Sequence, residues 1–119
     1  MLRRYGLSKS HRLLRRGTFD RVLKARRRAA DRWLVVYACR NTVGHPRLGI
    51  IVSRRHGGSV TRNRLKRLLR EAFRLSRHEL PVGYDLVCIP STVQLGTVER
   101  YGRSMAALAR VAAGASRAP

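Results

Sequence analysis

The sequence predicts a single small α+β domain, with a sheet of about four strands and the element order α-β-β-β-α-β-α, the first strand being short. Three observations predict this fold. The chain has 119 residues, which is enough for one domain with a modest core. Short runs rich in β-branched and aromatic residues are typical of strands, and two longer segments place apolar residues at helical spacing.

The two ends of the chain are predicted to lie outside this domain. Residues 1–16 carry six cationic side chains and little apolar periodicity, so we expect a basic N-terminal arm that stays partly flexible until it meets a partner. The domain itself is predicted to span 17–113. Residues 114–119 are expected to form a disordered tail.

A short first helix is expected from Gly17. Thr18 is a possible cap, and the apolar side consists of Phe19, Val22 and Leu23. Phe19 is equally compatible with an ordinary core position and with a ring that partly faces a cleft.

Four segments are predicted to be strands. Segment 26–31 is highly charged, which suits only a short edge strand. Segments 33–39 and 47–52 are rich in β-branched and aromatic residues. Segment 84–90 has an almost continuous apolar centre, which indicates an interior position in the sheet. A final helix is expected from Thr97.

The helix between the third and fourth strands is amphipathic. One face carries apolar residues at helical spacing: Leu65, Leu68, Leu69, Ala72 and Phe73. The opposite face is almost wholly cationic and consists of Arg62, Asn63, Lys66, Arg67, Arg70 and Arg74. Glu71 is the only acid between Ser53 and His78, and like charges four residues apart repel. A polyanionic partner is expected to relieve this repulsion.

The loop before this helix also suits an anion. His56, Gly57 and Gly58 allow backbone conformations that other residues disfavour, and Ser59 or Thr61 is a candidate cap. The N–H groups at the helix start would point at a bound anion. The nucleotide-hydrolysing motif G-x-x-x-x-G-K-[ST] is absent.

We expect the second and third helices to cover one face of the sheet. The other face, which carries alternate residues of segment 33–39, would then line a groove with the first helix.

The overall charge favours a nucleic-acid partner. The chain has 27 Lys and Arg against 6 Asp and Glu, a formal net charge of +21. An anionic membrane surface is a weaker candidate, because no apolar run approaches the roughly 18–20 residues of a membrane span. The start of the chain does not resemble a signal peptide, so we expect a cytoplasmic protein without a membrane partner.

No metal or disulfide site is predicted in the protein. Cys39 and Cys88 lie in predicted strands, which favours small buried thiols in a reducing compartment. The four histidines form no ligand spacing with the cysteines.

Segment 62–70 reads R-N-R-L-K-R-L-L-R and follows the glycine loop and an apolar strand. Together with segments 18–22, 35–37 and 84–87, it resembles the bacterial ribonuclease P protein subunit over about residues 9–112. The resemblance implies a ribonucleoprotein that removes the 5′ leader from precursor tRNA, with one protein per catalytic RNA. It also implies that Mg²⁺ ions held mainly by RNA and substrate phosphates carry out the chemistry, and that the fold contains a left-handed strand–helix–strand crossover.

The resemblance also implies two binding surfaces and no catalytic residue in the protein. The residues expected to contact the catalytic RNA are Arg54, Arg55, Arg62, Asn63, Arg64, Lys66, Arg67 and Arg70. Those expected to form the leader-binding cleft are Arg12, Phe19, Val35 and Tyr37. Leu23 stands where many family members carry a second aromatic residue, which puts stacking at that end of the cleft in doubt.

Three other functions are weighed against this one. A self-contained nuclease is disfavoured because the six acids are isolated in the sequence. A structural RNA-binding protein of the ribosomal type is the main alternative. Duplex DNA binding ranks third, because the basic helix lacks the partner of a helix-turn-helix.

Overall fold

The structure is a computed structural model that describes residues 7–114. In chain order its elements are α1 (Arg16–Lys24), β1 (Arg28–Ala30), β2 (Leu34–Arg40), β3 (Arg47–Ile50), α2 (Ser59–Ser76), β4 (Tyr84–Pro90) and α3 (Val98–Ala112). Short 3-10 turns occupy Lys9–His11, Arg54–His56 and Arg77–Glu79. The predicted α+β class and element order are confirmed.

The four strands form one mixed sheet in the order β1-β2-β4-β3. The β1–β2 and β2–β4 pairs are antiparallel, whereas β3 and β4 are parallel. β4 lies inside the sheet and β1 lies at an edge, as predicted. β3 and β4 are joined through α2, which forms the expected crossover; its left-handedness stays a prediction.

The side chains of β2 alternate between the two faces of the sheet, and the two faces are buried to different extents. Leu34, Val36 and Ala38 are fully buried in the main core, which α2 and α3 complete. Val35 and Tyr37 point the other way and are half-buried. A smaller cluster on that second face joins α1 to the sheet, and its buried members are Leu13, Val22 and Val87. The predicted division of the sheet faces between the helices is therefore confirmed.

Two of the predicted helix caps are wrong. Thr18 lies inside the first turn of α1, which begins two residues earlier. Neither Ser59 nor Thr61 caps α2, because the helix starts at Ser59 and its N-cap is Gly58, without a side-chain hydrogen bond. Thr97 does cap α3, since its hydroxyl accepts the backbone N–H three residues later at 3.1 Å.

The predicted basic arm differs from the structure from residue 7 onward. Leu7 and Leu13 are buried, and the N–H of Leu13 donates to the carbonyl of Leu48 at 2.9 Å. Arg12 and Leu48 form a parallel bridge at the outer side of β3. Two leucines among many cations leave no periodic signal, so the sequence did not predict this packing. Residues 1–6 and 115–119, the remainder of the predicted arm and tail, lie outside the described residues.

The two cysteines are free and lie on opposite faces of the sheet. Cys88 is buried in the main core, and burial raises the pKa of its thiol to about 12. Cys39 is only half-buried, against α1, which corrects the expectation that both are buried. Within residues 7–114, no helix combines the length and apolar character that a membrane crossing needs.

A buried carboxylate, Asp85, holds α1 and β3 to the start of β4. Its side chain is fully buried and accepts hydrogen bonds from Arg47 at 2.8 and 2.9 Å and from the Asn41 amide at 2.8 Å. Arg21 of α1 completes the site as a second ion-pair partner. Burial alone would raise the pKa of Asp85, but the bonds from Arg47 and Asn41 and the charges of Arg47 and Arg21 outweigh it and lower the pKa.

We therefore expect Asp85→Asn to lower the free energy of unfolding by about 2–3 kcal/mol at neutral pH, measured by urea denaturation. A carboxylate with a lowered folded-state pKa stabilises the fold above its unfolded pKa and loses that effect as pH falls through the folded value. The difference between wild type and variant should therefore shrink below about pH 4. Asp20→Asn, at an exposed position of α1, is the control and should change stability by less than about 0.5 kcal/mol. An equal effect of both substitutions at pH 7 would contradict the role of Asp85.

Candidate nucleic-acid interface

The helix α2 has one buried and one open side. Leu65, Leu69, Ala72 and Phe73 are buried in the main core as predicted, whereas Leu68 is only half-buried at the margin of the stripe. The open side, called here the α2 cationic face, consists of Arg62, Asn63, Arg64, Lys66, Arg67 and Arg70. Its residues lie at two depths: Asn63, Arg64 and Arg67 are exposed, and the other three are half-buried.

No acid in the described part of the chain neutralises the α2 cationic face. Glu71 is the one acid on the helix, and Arg74 engages both of its oxygens at 3.1 and 2.6 Å. The remaining ion pairs of residues 7–114 lie elsewhere. The positive charge of this face is therefore available to an external anion.

One end of the face meets a cleft beside α1. The cleft has a volume of about 140 Å³, and its lining includes Arg12, Phe19, Gly49, Lys66 and Arg70. Burial and the neighbouring charge of Arg12 both lower the pKa of Arg70. Two guanidiniums and an ammonium thus converge at a cleft that the Phe19 ring lines, where an anion would relieve their repulsion.

The loop before α2 is fixed by a buried histidine. His56 is 3% exposed; its Nδ1 lies 2.9 Å from the N–H of Ser53, and its Nε2 lies 3.0 Å from the carbonyl of Pro90. These partners make Nδ1 the acceptor and Nε2 the donor of a neutral ring. These two hydrogen bonds fix the turn, on which Arg54 and Arg55 are exposed. The sequence interpretation treated His56 only as part of a glycine turn and missed this role.

The two glycines after His56 have different roles. Gly57 has φ +121°, a conformation that side chains disfavour, and a Cβ there would lie 2.9 Å from the side chain of Thr61. Gly58 has an extended backbone with φ −76°, and nothing lies near a Cβ at that position. Only the first glycine is required by the turn.

The predicted leader-cleft residues lie on or beside one sheet face. Phe19, Val35 and Tyr37 are all half-buried there. Phe19, Tyr37 and Leu23 pack against the same buried cluster. The Phe19 ring lies directly over Gly49, where a Cβ would approach two ring atoms to 2.6 and 2.8 Å. Gly49 therefore makes room for the ring. Phe19 thus packs against the apolar cluster and keeps part of its ring exposed, so both positions that the sequence allowed for it apply.

The described residues do not fit a protein-borne metal site. Residues 7–114 contain no group of three or more His, Cys, Asp or Glu side chains arranged to hold an ion. Asp85 and Glu71 are each occupied by arginine.

Comparison with known proteins identifies relatives with this architecture. A model of the family described as Ribonuclease P matches residues 7–112. A ribonuclease P protein component from Methylococcus capsulatus is 46% identical over 77 residues, which cover 64% of this chain and 60% of that relative. The chain thus spans less than two thirds of that relative's length.

Two solved structures are also similar to this chain. The RNase P protein of Staphylococcus aureus is 31% identical and superposes with a TM-score of 0.74, covering 87% of this chain and 96% of that one. The RNase P protein from Thermotoga maritima is 38% identical, with a TM-score of 0.62 and coverage of 66% and 72%.

We expect Gly57→Ala to destabilise the protein by about 1–2 kcal/mol, because alanine there is strained and crowds Thr61. Gly58→Ala is the matched control and should cost only a few tenths of a kcal/mol, through a poorer N-cap. Thermal or urea unfolding of both variants measures the difference. Equal stabilities of the two variants would show that the turn does not need its left-handed glycine.

Proposed function

The chain belongs to the family of bacterial ribonuclease P protein components, and on this premise we propose that it is the RNA-binding subunit of ribonuclease P. In this proposal the particle removes the 5′ leader from precursor tRNA. The observation that carries the proposal is the α2 cationic face, whose charge no acid in residues 7–114 neutralises. A cleft lined by Phe19 meets this face at β3. A polyanion and a single strand are the ligands that suit these two surfaces.

The α2 cationic face is proposed to dock on the catalytic RNA, together with Arg54 and Arg55. Guanidiniums grip phosphates bidentately, and each neutralised phosphate releases counterions. The exposed Arg64 and Arg67 reach outward, whereas the half-buried Lys66 and Arg70 stand at the mouth of the cleft. This placement supports a shared boundary between catalytic RNA and substrate.

The cleft is proposed to hold the single-stranded leader. Phe19 and Tyr37 offer partly exposed rings, and base stacking on such rings contributes about 1–3 kcal/mol per base. Arg12 lines the cleft beside Phe19 and would supply charge there. Val35 is half-buried on the same sheet face as Tyr37. Leu23 offers packing but no aromatic stacking, so that end of the cleft should hold a base less tightly.

The chemistry is assigned to the RNA partner. Mg²⁺ held mainly by RNA and substrate phosphates would activate water and stabilise the leaving oxygen. The residues of this chain bind and orient: α2 holds the RNA, and the cleft holds the leader near it. The proposal includes one protein per RNA and a cytoplasmic particle.

The first prediction concerns assembly. Replacing Arg62, Arg64 and Arg67 by Ala should weaken binding of the catalytic RNA and make the log–log salt dependence shallower by about 0.7–0.9 for each lost phosphate contact. Filter binding across a salt series measures both effects, and circular dichroism checks the fold. An equal triple loss of charge at exposed positions elsewhere, Arg32, Arg103 and Arg110 to Ala, is the control. The docking role would be excluded by the same affinity and slope in both variants.

The second prediction concerns the substrate. The assembled particle should bind leader-bearing tRNA more tightly than mature tRNA, and should need less Mg²⁺ than the RNA alone. Replacing Phe19 and Tyr37 by Leu should leave assembly unchanged but reduce this preference by about tenfold or more, since up to two stacking contacts are lost. Binding of matched precursor and mature tRNAs measures the preference. Equal affinities for the two tRNAs in wild type would contradict the cleft assignment.

A further inference from the structure

We infer that the leader path continues beyond the cleft to a second cationic site at the open edge of the sheet. This site, called here the β1-edge cluster, consists of Lys24, Arg26, Arg27, Arg28 and Arg40. It would bind the phosphates of leader nucleotides farther from the cleavage point than those in the cleft. The inference rests on the proposed function and adds a substrate site to it.

The positive charge of the β1-edge cluster is not neutralised by any acidic side chain of residues 7–114. Lys24, Arg26, Arg27, Arg28 and Arg40 are all exposed. None of the ion pairs in residues 7–114 includes any of them. A short edge strand needs a charge or two to prevent pairing with other sheets. Four cations in the five residues 24–28 exceed that need.

The sheet register connects the cluster to the cleft. Gly49, which lies under Phe19, pairs with Val87, and Val87 pairs with Tyr37. Tyr37 in turn pairs with Arg28, whose guanidinium lies 5.8 Å from the centre of the Tyr37 ring. Neighbouring strands are about 4.8 Å apart, so Arg28 follows Tyr37 as the next position along the path. Because a guanidinium plane can stack on a base as well as bind phosphate, Arg28 suits a single strand leaving Tyr37.

A notch beyond β1 provides room for a nucleotide. β2 continues to Arg40 after its pairing with β1 has ended at Tyr37, and this leaves a cavity of about 410 Å³. Its lining is formed by Ala25, Arg27, Cys39, Arg40, Tyr84 and Ala113. Cys39 also packs against the apolar cluster that Phe19 and Tyr37 contact, so the notch borders that cluster.

The arginines of the notch are ordered by contacts with the protein. Arg27 donates to the carbonyl of Ala113 at 3.2 Å, and the Arg40 guanidinium lies 5.8 Å from the centre of the Tyr84 ring. Less side-chain entropy is lost on binding when donors are already positioned.

Arg26 gives the cluster a test that separates binding from folding. Its φ of +58° is the left-handed conformation that favours glycine, yet the position carries a long cationic side chain. Arg26→Gly therefore removes a charge and relieves backbone strain at the same time. If the Arg26 side chain had only a structural role, replacing it by glycine would not weaken leader binding.

The polarity of the path follows from the two sheet edges. α2 contacts β3, so in the proposed docking the catalytic RNA and the scissile bond would lie at that side. β1 is the opposite edge of the sheet. Nucleotides that reach β1 must be those farther upstream in the leader.

The experiment uses the assembled particle with precursor tRNAs whose leaders are lengthened one nucleotide at a time, and with mature tRNA. The variant carries Arg26→Gly and Arg28→Gln. We expect unchanged affinity for mature tRNA and for the shortest leaders. Affinity should stop increasing at a shorter leader than in wild type. For the longest leader, the log–log salt slope should be shallower by about 1.4, or 0.7 for each of two single-strand contacts. The melting temperature should be unchanged or higher.

The matched control carries Arg77→Gln and Arg103→Gln, two exposed positions, one after α2 and one within α3, that line neither the cleft nor the notch. It should behave as wild type at every leader length. A leader-length profile and salt slope in the variant equal to those of wild type overturn the inference and leave the proposed function intact. A loss of affinity that is equal for mature tRNA also overturns it, because the cluster would then contact another RNA. A wild-type particle without any leader preference overturns this inference together with the cleft assignment on which it rests.

Discussion

The cations of α2 repel one another, and the burial of the apolar side of the same helix has to offset that repulsion. Arg62, Lys66 and Arg70 follow one another at four-residue spacing, an arrangement that costs a few tenths of a kcal/mol per pair in an isolated helix. The single acid of the helix is taken up by Arg74. The helix is maintained by the burial of Leu69 and its apolar neighbours instead, so the core supports a surface whose charge no acid in residues 7–114 neutralises.

A second buried interaction links this surface to the cleft. Asp85 fixes α1 to the sheet through Arg21, and α1 carries Phe19 over Gly49. The cleft wall is thus positioned by the ion pair of Asp85 and by the close packing of Phe19 on Gly49 of the edge strand β3. His56 does the same for the loop before α2, by binding the end of β4. Both proposed RNA surfaces are therefore fixed by contacts to β4.

The sequence predicted the features that repeat. The alternation in β2 and the apolar spacing of α2 were sufficient for the element order, the two sheet faces and the position of the cationic face. It did not predict features that depend on one distant contact. Asp85 looked isolated because its arginines are 38 and 64 residues away along the chain. The packing of Leu13 on β3 and the binding of His56 to Pro90 were missed for the same reason.

The central claim is that this protein is built to bind one structured RNA that performs the cleavage. The most direct test is to purify the full chain from its own cells, sequence the RNA that accompanies it, and assay protein and RNA separately and together on precursor tRNA. We expect one abundant non-ribosomal RNA, with precursor tRNAs, that restores leader removal in the presence of Mg²⁺. Recovery of ribosomal RNA alone, or leader removal by the protein without RNA, would contradict it.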